Sequence, residues 1–440
     1  MKSKLVMAMA IGFTALSVSA QHLTYPEAPH DATVDTYFGE KVSDMFRPLE
    51  DDNSEAASNW VKAENKLTRS YLDNMPQRAA YLKRLKQVSN YEKVYAPFFE
   101  HGKWYVYRND GLQNQAVLYQ MDKLGGEQHV FLDPNRLSTD GTVALKSISF
   151  SHDGKYFAYV ISRNGSDWEE IYVKDVATGT MLDDHIIWAK FTSAAWKGDG
   201  FYYSAYDAPE KGHETSAKNS IQKVYYHKLG TSQSADKLFY QNPACPLRFY
   251  SVDVNREETM MFLYESGMDQ GVNLFVRDLR EPDAQFVQMT GDASKDYEPL
   301  ETIGDSIIIK TNAGAERYRL MVANIHQPGY QDWTELVPEA DAVLDDIAFA
   351  DHDKMALTYM KDNCSESFLY DVTGKRLAEI NLPGVGNVSF MGKRERSEFF
   401  YLYTSYTVPT TVYRYDIATG KSSIFSQPKV NFKTSDYVSE

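Results

Sequence analysis

The chain has 440 residues, 43% of them hydrophobic, which is enough to build a large core in one domain with an appendage. Its formal net charge of −15 at pH 7 argues against nucleic acid or an anionic membrane surface as a partner. The ten histidines show no HExxH or other ligand spacing, so no metal and no cofactor is expected.

Lys2 and Lys4 precede the apolar run Leu5 to Val18, and Val18-Ser19-Ala20 offers small residues before Gln21. This predicts a secretory signal peptide over 1–20, removed after Ala20, and an exported product, periplasmic or secreted. A buried helix is the other reading. Without Lys2 and Lys4 the formal charge goes from −15 to −17. No later stretch approaches the length of a membrane span.

Residues 22–53, with Pro26, Pro29 and Pro48 and few periodic apolar positions, read as an extended arm. A helix follows to Leu72, capped by Asn53 or Ser54, with Ala57, Trp60, Val61, Leu67 and Tyr71 on one face. Pro76 suits the first turn of a second helix, over 77–88, that carries Tyr81, Leu85 and Val88 on one stripe. Two helices ahead of a β-rich array need a surface to lie on. They either cap that array or pack on another domain.

The stretch from Lys146 to Val176 sets the pattern for most of the chain: a strand through Ile148 and Phe150, a turn at His152-Asp153-Gly154, a strand Phe157 to Val160, and a third strand at Ile171-Tyr172-Val173. Asp-Gly between apolar runs is a strong hairpin signal, because glycine accepts the positive φ that the turn needs. The unit repeats. Second strands are expected at Trp104 to Tyr107, Phe157 to Val160, Phe201 to Ser204, Met260 to Leu263, Ser306 to Ile309, Met355 to Thr358 and Phe399 to Leu402. Third strands follow at Ala116 to Tyr119, Glu170 to Val173, Val224 to His227, Asn273 to Val276, Tyr318 to Met321, Ser367 to Tyr370 and Thr411 to Arg414. The second strands start 53, 44, 59, 46, 49 and 44 residues apart, a spacing that fits four-stranded propeller blades. Seven units predict a mainly β fold: a seven-bladed β-propeller preceded by a short two-helix segment. A β-sandwich has similar strands but no reason for this register.

Five third strands run into an aspartate, Asp122, Asp175, Asp278, Asp371 and Asp416, as strands entering turns do. The polar excursion from Asp207 to Ser220 is the longest inside a blade and reads as either solvated or binding. Cys245 and Cys364 lie 119 residues apart in different predicted blades, to be paired in an oxidising compartment or left as two buried thiols.

Catalytic motifs are missing from the sequence. It holds no GxSxG, so no serine is presented on a strand-to-helix turn, and no GxGxxG, GxxxxGK[ST] or CxxC. Triads are defined in space, so counting residue types leaves a Ser-His-Asp set open. Outside the signal peptide and the first helix, the serines fall in predicted strands, turns or the arm. By its own residues the chain is a scaffold, with no catalytic residue assigned.

Several local strings are more specific: Arg47-Pro48-Leu49-Glu50-Asp51, the helix with Trp60-Val61 and Glu64-Asn65, Gly111-Leu112-Gln113-Asn114-Gln115, Phe131-Leu132-Asp133-Pro134-Asn135 and Leu137-Ser138-Thr139-Asp140-Gly141-Thr142. Ser149-Phe150-Ser151, Gly165-Ser166-Asp167-Trp168, Glu214-Thr215-Ser216 and Tyr226-His227-Lys228-Leu229-Gly230-Thr231 continue the run. Together they resemble the amino-terminal part of the prolyl oligopeptidase family, from about residue 24 to the end.

The resemblance implies a seven-bladed propeller inserted into an α/β-hydrolase domain, with the amino-terminal helices belonging to the hydrolase. It divides the chain into a signal peptide over 1–20, the arm and helices over 21–90, the propeller over 91–427, and over 428–440 the start of a crossover to the hydrolase domain. In the family that domain carries the Ser, Asp and His, and this sequence stops at Glu440, so the chain by itself is expected to be inactive. The implied activity of the complete enzyme is serine endopeptidase cleavage of short peptides after proline, with the propeller filtering substrates by size. The implied partners are short proline-containing peptides and a catalytic domain, and the chain is expected to be a monomer. A free-standing propeller that binds a peptide or protein is the rival reading.

The resemblance also implies substrate-side residues. Phe191 matches an aromatic that looks toward the active-site cavity; Phe249 and Met268 fall where the family lines the subsite two residues before the scissile proline bond. Asp167 matches an acid that pairs with an arginine of the hydrolase domain. As structural residues, the first three would be blade core and Asp167 would close its turn.

Overall fold

The computed structural model describes residues 23–51, 54–267, 271–290 and 293–437. The expected signal peptide and Met268 lie outside the described residues. The chain divides into two compact units: Met1–Ala79 with Glu210–Ser216, and Ala80–Pro209 with Ala217–Glu440. The polar excursion is thus split, its middle grouping with the amino-terminal unit.

In the first unit the expected extended arm contains a hairpin. Strands Val34–Tyr37 and Glu40–Ser43 pair across a turn in which Phe38 and Gly39 both have positive φ. Val34, Tyr37 and Val42 are exposed, so no inward-outward alternation marked these strands in the sequence. Arg47, opening the 3-10 helix Arg47–Glu50, pairs with Asp35 and with Asp44, tying that helix to the hairpin. The helix α1 spans Glu55–Leu72; Ser54 caps it, its hydroxyl accepting from the Ala57 N–H at 3.1 Å. The helix α2 spans Arg78–Ser89, its first two residues in this unit and the rest in the second, and starts later than expected, because Pro76 and Gln77 form the turn before it rather than its first turn.

The second unit is a β-propeller. Each expected second strand pairs antiparallel with its third strand, from Lys103–Asn109 with Val117–Met121 to Glu398–Thr404 with Thr411–Asp416. The first sheet has five strands between Lys93 and Leu132; four later sheets of four strands each run Phe249 to Gln288, Tyr297 to Val337, Val343 to Ile380 and Asn387 to Ser426. The sequence predicts seven separate blades, and here the structure differs. Five sheets are separate, while the two blades expected between Leu145 and Gln241 form one continuous eight-stranded sheet. The joint is local: Met181–Ala189 runs on until Ala189 pairs with Ala205 of Gly200–Ala205, flanked by the bonds Tyr206 N–H to Trp188 O (3.1 Å) and Lys190 N–H to Ser204 O (3.3 Å).

Packing follows from the period of two along the second strands. Met260 and Phe262 pack forward on Ile307 and Ile309, while Met261 and Leu263 pack back on Tyr202 and Val224. Each second strand thereby belongs to two cores at once. The ring closes in the same way, with Trp104, Val106 and Met121 of the first sheet packed on Phe400 and Val412 of the last. Among the described residues that closure is made by side chains rather than by strand pairing, and Trp104 meets Phe400 edge-on at 5.8 Å.

The cysteines are unpaired and half-buried, so neither the disulfide nor two buried thiols is what the structure shows. Among the described residues there is no cluster of metal-binding side chains, and no helix is long and apolar enough to cross a membrane.

Candidate functional site

Three of the four residues singled out from the sequence come together where the eight-stranded sheet meets the next sheet. Asp167 sits in the turn between Tyr156–Arg163 and Glu169–Asp175. The Ser166 N–H donates to Arg163 O at 2.9 Å and the Trp168 N–H donates to Ser166 Oγ at 3.1 Å, with Asn164 and Gly165 both in the left-handed region. Phe191 follows the long strand Met181–Ala189 at φ +53°, a conformation that costs a bulky residue and must be held by its surroundings. Phe249 opens the strand Phe249–Val254. Its ring meets that of Phe191 edge-on at 5.4 Å.

Two buried polar side chains, neither marked by any sequence motif, hold this arrangement. Gln222 is fully buried; its amide donates to Lys190 O at 2.7 Å and its carbonyl accepts from the Tyr250 N–H at 2.6 Å. A single side chain therefore fixes the spacing between the Phe191 turn and the Phe249 strand. Glu169, also buried, accepts from the Thr192 N–H at 3.1 Å, and burial raises its pKa, with that hydrogen bond acting the other way. Thr192 Oγ1 in turn accepts from the Ser204 N–H at 2.8 Å.

Phe191 is 51% exposed, so it is not core, while Phe249 is half-buried beneath it. Asp167 has a partner within this chain: its carboxylate lies 3.7 Å from the Lys190 ammonium and is still 66% exposed. Lys190 also stands 5.0 Å over the Trp168 ring and 5.7 Å over Phe191. Trp168 continues the aromatic surface to Trp188, edge-on at 5.3 Å, and to Tyr206. The result is an apolar, ring-lined patch with the Lys190 ammonium and the mostly solvated Asp167 carboxylate beside it. Such a patch can hold an apolar side chain or a prolyl ring against aromatic faces and can orient a charged group at its rim.

The model of the N-terminal β-propeller domain of prolyl oligopeptidase matches residues 26–428. The chain belongs to the prolyl oligopeptidase family. Among curated relatives, it is 37% identical to the prolyl endopeptidase of Elizabethkingia miricola over 445 residues, covering 100% of this chain and 63% of that protein. It is 32% identical over 457 residues to prolyl oligopeptidase A of Galerina marginata, covering 94% of this chain and 61% of that protein. Among solved structures, prolyl oligopeptidase B of Galerina marginata bound to a 35mer hydrolysis and macrocyclization substrate aligns with a TM-score of 0.81 at 28% identity, over 94% of this chain and 62% of that one. A structure from work on inter-domain dynamics in two prolyl endopeptidases aligns with a TM-score of 0.82 at 28% identity, over 93% and 61%. The chain thus spans about three fifths of the length of these family members and corresponds to their propeller part.

Proposed function

We propose that this chain is the propeller part of an exported serine peptidase that cleaves short peptides after proline, acting with an α/β-hydrolase domain that supplies the catalytic residues. The observation that carries the reading is the joining of Phe191, Phe249 and Asp167 in one aromatic patch held by Gln222 and Glu169. In this reading Phe191 and Phe249 contact the peptide, Met268 completes the subsite, and Asp167 exchanges Lys190 for an arginine of the hydrolase domain. The exposed side chains of Tyr71 and Leu72 on α1 and of Tyr81 and Leu85 on α2 belong to that domain's surface. We also read the eight-stranded sheet as two repeats fused at Ala189 and Ala205, which makes seven in all, and place the mature amino terminus at Gln21.

The experiment combines this chain with a hydrolase domain of the same family, expressed separately, and follows hydrolysis of a Gly-Pro reporter peptide. Phe191→Ala should raise KM, and Asp167→Asn should lower turnover more than it weakens docking, because a mostly exposed ion pair adds only about 0 to 1 kcal/mol to binding. A Phe191→Ala protein with unchanged KM would remove the patch from the substrate side. Sequencing the exported product from its amino terminus tests the signal peptide; a protein retaining Met1 would refute it.

A further inference from the structure

Glu169 and Glu170 open the strand Glu169–Asp175 as consecutive acids, and the strand sends them to opposite faces. Glu170 meets Arg163 at 2.6 Å, the Tyr172 hydroxyl at 2.6 Å and His185 at 2.9 Å. Burial opposes its charge, but those bonds prevail and lower its pKa. Glu169 is buried and pairs with Ala189 across the sheet, two residues before Phe191. Its carboxylate faces backbone amides: the N–H of Thr192, at 3.1 Å, and that of Phe191 both favour its charged form. Burial outweighs them and raises its pKa. The charges that face it act in opposite directions, Lys146 of the strand Val143–Phe150 lowering and Asp167 of its own turn raising. Lys190, on the turn that Glu169 holds, is drawn to Asp167.

The turn from Lys190 to Thr192 has other supports. Gln222 donates to Lys190 O, the Lys190 N–H donates to Ser204 O at 3.3 Å, and Thr192 Oγ1 accepts from the Ser204 N–H. Of all these groups, Glu169 alone gains or loses a proton between acid and neutral pH. An ionised carboxylate has an accepting oxygen for each of the two amides. The neutral acid keeps one acceptor and turns the other oxygen into a donor, which opposes an N–H. Phe191 depends on such a hold, because at φ +53° it occupies a conformation that disfavours a bulky residue, and from there its ring meets Phe249.

We propose that Glu169 is a proton-controlled anchor for Phe191: ionised, it fixes the turn that presents the ring, and protonated, it gives up part of that hold, so that peptide binding weakens in acid. The effect on peptides rests on the function proposed above; the anchor itself does not. Glu169→Gln copies the neutral acid, with one accepting oxygen and one donor. The first measurement needs no peptide: the amide shift of Thr192 against pH, in a chain carrying isotopically labelled threonine, with the peak assigned by Thr192→Ser. It should move in a step above the ordinary range of a glutamate, and Glu169→Gln should remove that step. A shift that stays flat from about pH 8 to about pH 5, or a step that survives in Glu169→Gln, would overturn the anchor.

The second measurement is KM for the Gly-Pro reporter with the separately expressed hydrolase domain. In the unaltered chain KM should rise about threefold or more from about pH 8 to about pH 5, as one amide loses its acceptor. Glu169→Gln should begin at the raised value and lose most of that dependence. Acid effects from Asp167 or from the hydrolase domain persist in Glu169→Gln, so the difference between the two proteins belongs to Glu169. Equal KM in both proteins at both pH values, with Phe191→Ala still raising it, would overturn the anchor's part in binding and leave the proposed function standing. An unchanged KM for Phe191→Ala would remove both.

Discussion

His227 lies fully buried between two carboxylates, its Nε2 at 2.9 Å from Asp184 and its Nδ1 at 2.7 Å from Asp236. The Gly230 N–H also donates to Asp184 at 2.6 Å and the Tyr203 hydroxyl to Asp236 at 2.7 Å, so both acids are held in place. Burial opposes a charged imidazole, but the hydrogen bonds to Asp236 and Asp184 outweigh it and raise the His227 pKa above its ordinary value. A raised folded pKa means that the protonated ring stabilises the fold fully below the unfolded value of about 6.5, and that this contribution fades as pH rises through the folded value. His227→Gln should therefore cost roughly 3 to 5 kcal/mol at about pH 6, where two buried acids lose their cation, and less at about pH 9. Denaturant midpoints of both proteins at the two pH values check this; an equal loss at both would mean that the ring is neutral throughout. The same scale separates Phe191 from a core phenylalanine. Phe157, fully buried, should cost about 3 to 5 kcal/mol on truncation to alanine, whereas the half-exposed Phe191 should shift the melting temperature little. Gln222→Ala should cost roughly 1 to 3 kcal/mol, because it leaves Lys190 O and the Tyr250 N–H without a bond inside the protein.

At the scale of elements, helices and hairpins differ in what holds them. The helix α1 has Ala57 as its one buried residue and α2 has none, whereas the strand Gly200–Ala205 is buried along its whole length. Amide exchange in α1 and α2 should consequently be faster than in the second strands, and exchange equally slow in both would point to a covering surface in the isolated chain. The same contrast explains what the sequence could and could not reveal. Hairpins were legible because Asp-Gly turns and runs such as Phe157 to Val160 encode local geometry. The strand-ending aspartates were legible too: Asp175, Asp371 and Asp416 each accept from a threonine N–H and hydroxyl two or three residues on. The joint at Ala189 and Ala205 was not, because alanine carries no strand signal and the pairing depends on where a nine-residue strand is carried by its neighbours. Nor was the Phe38-Gly39 hairpin, whose strands bury no face. Of the site, the family strings pointed to Phe191, Phe249 and Asp167. Gln222 and Glu169, which hold the patch, give no local signal, since their roles arise from bonds to backbone atoms 28 to 32 and 23 residues away.

At the scale of the whole molecule, the propeller is a ring closed by side chains, with an aromatic patch built on Phe191 and Phe249. On the function proposed above, the chain confers size selectivity on a hydrolase domain of the family. The most direct measurement is turnover of a short Gly-Pro peptide and of a long, unfolded polypeptide carrying the same site, by a separately made hydrolase domain of the family, as this chain is titrated in. The account predicts no hydrolysis by the chain alone and, on mixing, a saturable rise in the ratio of short to long turnover. A ratio that does not change at any concentration of the chain, or hydrolysis by the chain alone that disappears when one of its own serines is replaced, would contradict it.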